Sequence, residues 1–310
     1  MNFPMTHARA IALMVLVALL WSTAGVVTRH LEQARSFEVT FWRSLFAAVA
    51  MLLALLALRG RSLARDISQG GIWLWLSGLC WAVMFTNFML AITMTSVARV
   101  LVTLSIAPLL TALFARIFLH HRLPTRTWVA IAVAGLGIGW MFGRLAFSGS
   151  GSMMGSLVAL GVPIAGAANW TLLQYVNQRH VKEPGVNLPD MLPAVLVGAL
   201  ISCAVTLPMA WPLAATAPDL ALLGLLGFFQ LALPCLMAVW LARILSGPEI
   251  SLIALLEVIF GVLLAWWGAG EVPGPAALQG GALVVGALLV NEGLALRGRR
   301  NAASAAQLLA

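Results

Sequence analysis

Runs of about 20 mainly apolar residues recur along nearly the whole chain, parted by short breaks rich in proline, glycine or charge, and nothing else in the sequence limits the fold as strongly. A helix needs about 20 such residues to cross the hydrocarbon layer of a bilayer. The runs mark ten spans, at residues 8–28, 37–58, 71–92, 96–119, 125–147, 152–177, 191–212, 219–242, 249–269 and 274–296. Inside lipid every backbone polar group must be paired within the protein, which leaves helices or a closed barrel. Barrel strands alternate apolar and polar residues over about 10 positions, and runs such as Ala47–Leu58 or Leu220–Phe229 do not. Charged residues make up 9% of the chain and hydrophobic ones 62%, against roughly 25% charged in soluble domains. A soluble core of this length could not hide so much apolar surface. The expectation is an all-α integral membrane protein. The first run exceeds the 7–15 apolar residues of a signal peptide and carries a tryptophan that recurs in the second half, so it counts as a span.

The net charge of +8 does not point to nucleic acid, because its distribution follows the spans. With ten spans, one side of the membrane holds Arg9, Arg59, Arg61, Arg65, Arg116, Arg122, Arg126, Arg179, Lys182, Arg243, Arg297, Arg299 and Arg300. Those are thirteen of eighteen basic residues; Arg29, Arg35, Arg43, Arg99 and Arg144 fall on the other side. The positive-inside rule then predicts cytoplasmic N and C termini in a bacterial-type inner membrane. Cys80, Cys203 and Cys235 lie within spans without CxxC spacing, and read as small packing residues. No metal and no cofactor is expected. Residues 301–310 form a short Ala-rich tail, expected to be disordered.

Sliding the chain along itself by 149 residues brings Leu20-Trp21-Ser22 onto Asn169-Trp170-Thr171, Pro124 onto Pro273, and Gly137 onto Gly286. One offset serves both the start and the end of the half, the mark of an internal repeat. Five spans per half force the second half into the membrane from the opposite face. The organisation expected is two inverted five-helix repeats, residues 1–148 and 149–300, followed by the tail. Many secondary transporters use this architecture for alternating access, with substrate held near the midplane between halves.

Leu20-Trp21-Ser22, Phe41-Trp42-Arg43 and the stretch Leu104-Ser105-Ile106-Ala107-Pro108-Leu109 resemble the EamA-type branch of the drug/metabolite transporter superfamily, and so do Ser251–Phe260 and Gly270-Glu271-Val272-Pro273. The resemblance covers residues 8–297. It implies a five-plus-five inverted repeat, cytoplasmic termini, and transport of small metabolites, often outward. It also implies a central cavity lined by spans 1–4 and 6–9, with spans 5 and 10 peripheral. Leu20-Trp21-Ser22-Thr23 is similar to the aromatic amino-acid exporters of that branch. One departure is plain: the Gly-Glu pair expected after span 4 is replaced by His120-His121-Arg122, while Glu271 keeps the pattern in the second half. The histidines lack the spacing and further ligands of a metal site and read as part of a basic surface.

Polar side chains inside lipid are costly and usually face a bundle interior or a cavity. Glu257 is the acid nearest the middle of a span. A protonatable carboxyl there could couple proton movement to transport or pair a substrate ammonium; otherwise it serves helix packing. Asn87, Asn169, Gln174 and Gln230 are the next candidates for the substrate cavity, with helix–helix hydrogen bonding as the alternative. Trp21, Trp81 and Trp170 lie within spans, away from the interfacial belts that suit Trp73, Trp75, Trp128 and Trp211. They and Tyr175 could line the cavity or pack the core. Arg43 and Arg99, near the extracytoplasmic ends of spans 2 and 4, either snorkel to the surface or form an outer gate with Glu271. Pro108, Pro163 and Pro234 are expected to interrupt spans 4, 6 and 8.

Gly135-Leu136-Gly137-Ile138-Gly139 lies inside a span with no preceding strand, so close helix packing explains it better than dinucleotide binding. No HExxH, nucleophile elbow or Walker loop occurs, and an enzyme is not expected. The partners expected are the lipid bilayer and a small-molecule substrate, most plausibly an amino acid or related compound, with the proton as candidate coupling ion. The competing classes are a channel and a non-transporting structural subunit.

Overall fold

The apolar runs become helices in a computed structural model, which describes residues 6–120, 124–148, 153–182, 189–276, 278–287, 289–290 and 293–294. The helices are α1 (His7–Thr28), α2 (Ser36–Arg59), α3 (Ser62–Gln69), α4 (Gly71–Met94), α5 (Val97–Leu104), α6 (Ala107–Phe118), α7 (Thr125–Ser148), α8 (Met153–Lys182), α9 (Pro193–Ala210), α10 (Ala217–Leu225), α11 (Leu233–Leu241), α12 (Gly247–Ile253) and α13 (Leu256–Ala269). A π-helical segment, Leu226–Ala232, joins α10 to α11, and a further apolar helix, α14, covers Leu278–Ala287. His121, Arg122 and the tail from residue 301 lie outside the described residues.

Among the described residues, eight helical stretches are long and apolar enough to cross a membrane, α5–α6 and α12–α13 each counting as one. They match the first four and the sixth to ninth expected spans. Their outer surfaces carry many exposed large apolar side chains, including Leu53, Leu58, Val205 and Phe229. Such a belt suits lipid rather than water. Trp75, Trp128 and Trp211 are exposed with it, while Trp73 is not and packs against Tyr175.

The core lies between sequence-distant helices. α4 packs on α8 and α9, α2 on α9, α1 on α13 and α11, and α6 on α8 and α12. Small residues permit these approaches: a Cβ on Gly198 of α9 would stand 2.4 Å from the Trp81 Cβ and 2.9 Å from the Gly78 carbonyl of α4. Among the expected glycines of α7, only Gly137 is in such a contact, its missing Cβ 2.9 Å from the Gly280 carbonyl of α14. The unexpected α3 is amphipathic, with Leu63 buried and Ile67 packed beneath it on the same helical face.

Polar contacts gather the helix ends into two faces. On one, Asp190 accepts from Arg59 and from Arg243, and His7 meets Glu249. On the other, Asp219 accepts from the backbone N–H groups of Glu32, Gln33 and Ala34, and Glu38 accepts from those of Ala214 and Ala215. Asp219 thus ties the loop after α1 to the start of α10, and Glu38 ties α2 to the loop before α10.

The prolines behave unequally. Pro108 follows a break at Ser105–Ile106 and opens α6; Pro234 follows the π-helical segment and opens α11. Pro163 interrupts nothing and lies inside α8. Within a bundle, neighbouring helices and local adjustments satisfy the carbonyl that a proline frees.

Candidate functional site

The two long spans broken near their middles set the site. The first turns at Ser105–Ile106 and the second at Ala254–Leu255. The pairs stand 149 residues apart, the same offset that aligns the tryptophans and prolines of the halves. At each break the backbone falls back to i→i+3 bonding: Ile106 N–H donates to the Thr103 carbonyl, and Leu255 N–H to the Leu252 carbonyl. The two spans touch where the Thr111 and Ser251 hydroxyls meet at 2.9 Å.

Between the breaks lies a cavity of about 120 Å³, several times the roughly 10–15 Å³ one water requires on that measure. Leu104 and Ala107 border it from one break, Ala254, Leu255 and Glu257 from the other. Trp21, Trp81, Phe85, Phe88 and Trp170 wall it, so its lining is mostly apolar and aromatic. Gln230 comes from the π-helical segment, a local geometry often met at functional sites; its amide donates to the Trp21 carbonyl at 3.2 Å, while its Oε1 is buried without a partner. The Trp81 indole N–H is likewise unmet.

The cavity therefore brings together five of the nine candidates read from the sequence: Trp21, Trp81, Trp170, Gln230 and Glu257. The other four do not border it. Asn169 is fully buried and accepts from the Ser77 hydroxyl at 2.6 Å, tying α8 to α4. Asn87 packs against Gly161, and Gln174 against Gly247. Tyr175 packs at a tilt against Trp73 and lines a separate space with Phe114, Phe118 and Thr171, at the end of the bundle away from Glu271. The spacing of Asn169 and Gln174 already separates them around a helix; which amides meet another helix is decided by packing.

Arg43 does not snorkel. Its side chain is 2% exposed and borders the central cavity, because it sits two turns inside α2 on the face where Gly227 of the π-helical segment closes in. The guanidinium lies 5.7 Å from the Phe88 ring centre, and its Nε and Nη1 have no hydrogen-bond partner. Glu257 borders the same space, and no ion pair within 4 Å joins it to Arg43.

Glu271 pairs neither with Arg43 nor with Arg99. Arg29 Nε donates to its Oε2 at 2.7 Å, the Val97 N–H donates to its Oε1 at 2.6 Å, and Arg29 Nη2 reaches the Thr95 carbonyl at 2.9 Å. Gly270, with a left-handed φ of 66°, ends α13 and turns Glu271 back onto this cluster. Arg29 was the residue missed; nothing in its exposed-looking position after α1 announces a partner 242 positions away.

Residues 8–143 match the model of the EamA-like transporter family. The chain also aligns with the pseudopaline exporter CntI of Pseudomonas aeruginosa (strain UCBPP-PA14), 26% identical over 282 residues, covering 87% of this chain and 93% of that one. The family match and the exporter relative together support an EamA-type permease of the drug/metabolite transporter superfamily. A crystal structure of a protein superposes on this chain with a TM-score of 0.62, covering 94% of the chain and 99% of its own, at 18% identity. That likeness concerns the fold alone.

Proposed function

We propose that this EamA-type protein exports small metabolites, amino acids or closely related compounds foremost, by alternating access in a cytoplasmic membrane. Ten transmembrane helices form two inverted five-helix repeats, residues 1–148 and 149–300, with α7 and α14 belonging to the fifth and tenth spans. The positive-inside rule places the face holding His7, Arg59 and Arg243 in the cytoplasm. The observation that carries this reading is the cavity set between two helix breaks one repeat apart. Broken helices at a repeat interface are how inverted-repeat transporters build a midplane site. Export as the direction, and a metabolite as cargo, draw support from the family match and from the exporter relative.

Within this reading the substrate site is centred on Trp21, Trp81, Trp170, Gln230 and Glu257, and Glu271 with Arg29 forms the outer gate. Glu257 opens α13 at the cavity wall. A carboxyl there orients a substrate ammonium or takes up a proton during the cycle. Its counterpart under the repeat is Pro108, so the carboxyl has no acidic counterpart in the first half.

The test is counterflow into proteoliposomes across a panel of amino acids and other metabolites. Wild type accumulates at least one of them, and Glu257→Gln, which keeps shape while removing the charge, transports it at a strongly reduced rate or without pH dependence. An identical rate in both across about pH 5.5–8 makes Glu257 structural. No transport of any compound overturns the exporter reading.

A further inference from the structure

We infer that Arg43 is the anion pole of the substrate site, so that the cavity holds a zwitterion with its carboxylate at Arg43 and its ammonium at Glu257; the inference rests on the transport function proposed above. Four observations meet here. The Arg43 guanidinium is buried, yet two of its three nitrogens have buried, unmet hydrogen-bonding capacity. A charge taken from water without hydrogen-bond partners is strongly disfavoured, and the Phe88 ring at 5.7 Å offsets only part of that cost. Glu257 borders the same space without an ion pair to Arg43 within 4 Å. The remaining polar groups at the wall, Gln230 Oε1 and Trp81 Nε1, are also unmet.

Opposite charges buried for packing alone would be expected to form a salt bridge. The helices that carry them are close-packed on other elements: Gly227 packs under the Arg43 backbone, and Gly261 of α13 packs against Leu101, its missing Cβ 2.5 Å from the Leu101 side chain. A ligand with a carboxylate and an ammonium on one carbon completes both poles at once. Planar guanidinium donors suit the two oxygens of a carboxylate. The aromatic walls then receive an apolar or aromatic side chain. Selectivity follows from the poles: a compound lacking either charge leaves a buried ion unpaired, which discriminates far more sharply than a missing methylene does.

The test uses purified full-length protein in detergent and follows its tryptophan fluorescence while titrating L-phenylalanine, L-phenylalaninamide, phenethylamine and N-acetyl-L-phenylalanine. Wild type should bind the zwitterion about 10- to 100-fold more tightly than each of the other three, the range for losing charge-assisted hydrogen bonds. In Arg43→Gln the preference for L-phenylalanine over its amide should fall to near unity, while the preference over the N-acetyl compound persists. Glu257→Gln should show the reverse pattern. The wild-type series alone decides the matter if a variant does not fold. Equal binding of all four compounds, or an acid-over-amide preference retained in Arg43→Gln, overturns the assignment and leaves the exporter reading standing. So does transport of some other metabolite with none of the four bound. If nothing is transported, the exporter reading falls and this assignment with it.

Discussion

Replacing Glu271 by glutamine should loosen the proposed outer gate by a calculable amount. Glu271 uses both carboxylate oxygens, one for Arg29 and one for the Val97 N–H. Glutamine offers a single acceptor oxygen, so one donor loses its partner, and the remaining contact loses its charge. A hydrogen bond to a charged group contributes about 1.5–3 kcal/mol when buried. Arg29 and Glu271 are 29% and 17% exposed, so solvent screening lowers this to about 1–2 kcal/mol. If the contact exists only with the outer face closed, Glu271→Gln shifts the equilibrium toward the open form by about 5- to 30-fold. The reporter is Cys235, which borders the cavity, in a chain with Cys80 and Cys203 replaced by alanine. Its reaction with a membrane-impermeant maleimide added outside should accelerate by that factor when the closed form predominates. An unchanged rate, with the protein still folded, would mean that the Arg29–Glu271 contact does not gate access.

Other perturbations test the packing and the topology. Gly198→Ala should lower the thermal midpoint in detergent, because its Cβ meets Trp81 and the backbone of α4 and overpacking costs about 1–3 kcal/mol; Gly135→Ala, with nothing within 4 Å, should not, and equal midpoints would refute the close approach of α9 to α4. Ser77→Ala leaves the buried Asn169 Oδ1 without its donor and should destabilise by about 1–3 kcal/mol; a neutral result would mean that water or another group reaches Asn169. Single cysteines at Ser62 and Gln33 should label from opposite sides of the membrane, and labelling from one side would break the proposed topology.

The membrane character of the fold was legible because the bilayer imposes one period and one length on every span. Ends of the described spans fall within a few residues of the apolar runs, since each run stops where a charge, proline or glycine becomes affordable. The helix breaks were less visible. Pro108 marks the first, but its repeat partner is Glu257, and the second break is a turn at Ala254–Leu255 that no proline announces. At the site, tryptophans and Glu257 stood out because their residue types are rare at mid-span. Arg43 was misplaced for a physical reason: depth along a helix can be counted, but whether a long side chain runs toward water or inward depends on the neighbour that closes over it. Here the π-helical segment around Gly227, 184 residues away in sequence, packs onto the Arg43 backbone. The Arg29–Glu271 contact was hidden in the same way, since it exists only after the bundle has formed.

The most direct measurement is efflux through a cavity filled by design. Gly166 borders the central space, and a Cβ there meets Met84 Sδ at 3.4 Å and Trp170 Nε1 at 3.9 Å, both ordinary contact distances, so Gly166→Leu should fold while occupying the site. Proteoliposomes loaded with radiolabelled L-phenylalanine should empty rapidly with wild-type protein and no faster than protein-free vesicles with Gly166→Leu, at matched insertion and thermal stability. Efflux at the wild-type rate from the filled variant would contradict the central cavity as the route of transport.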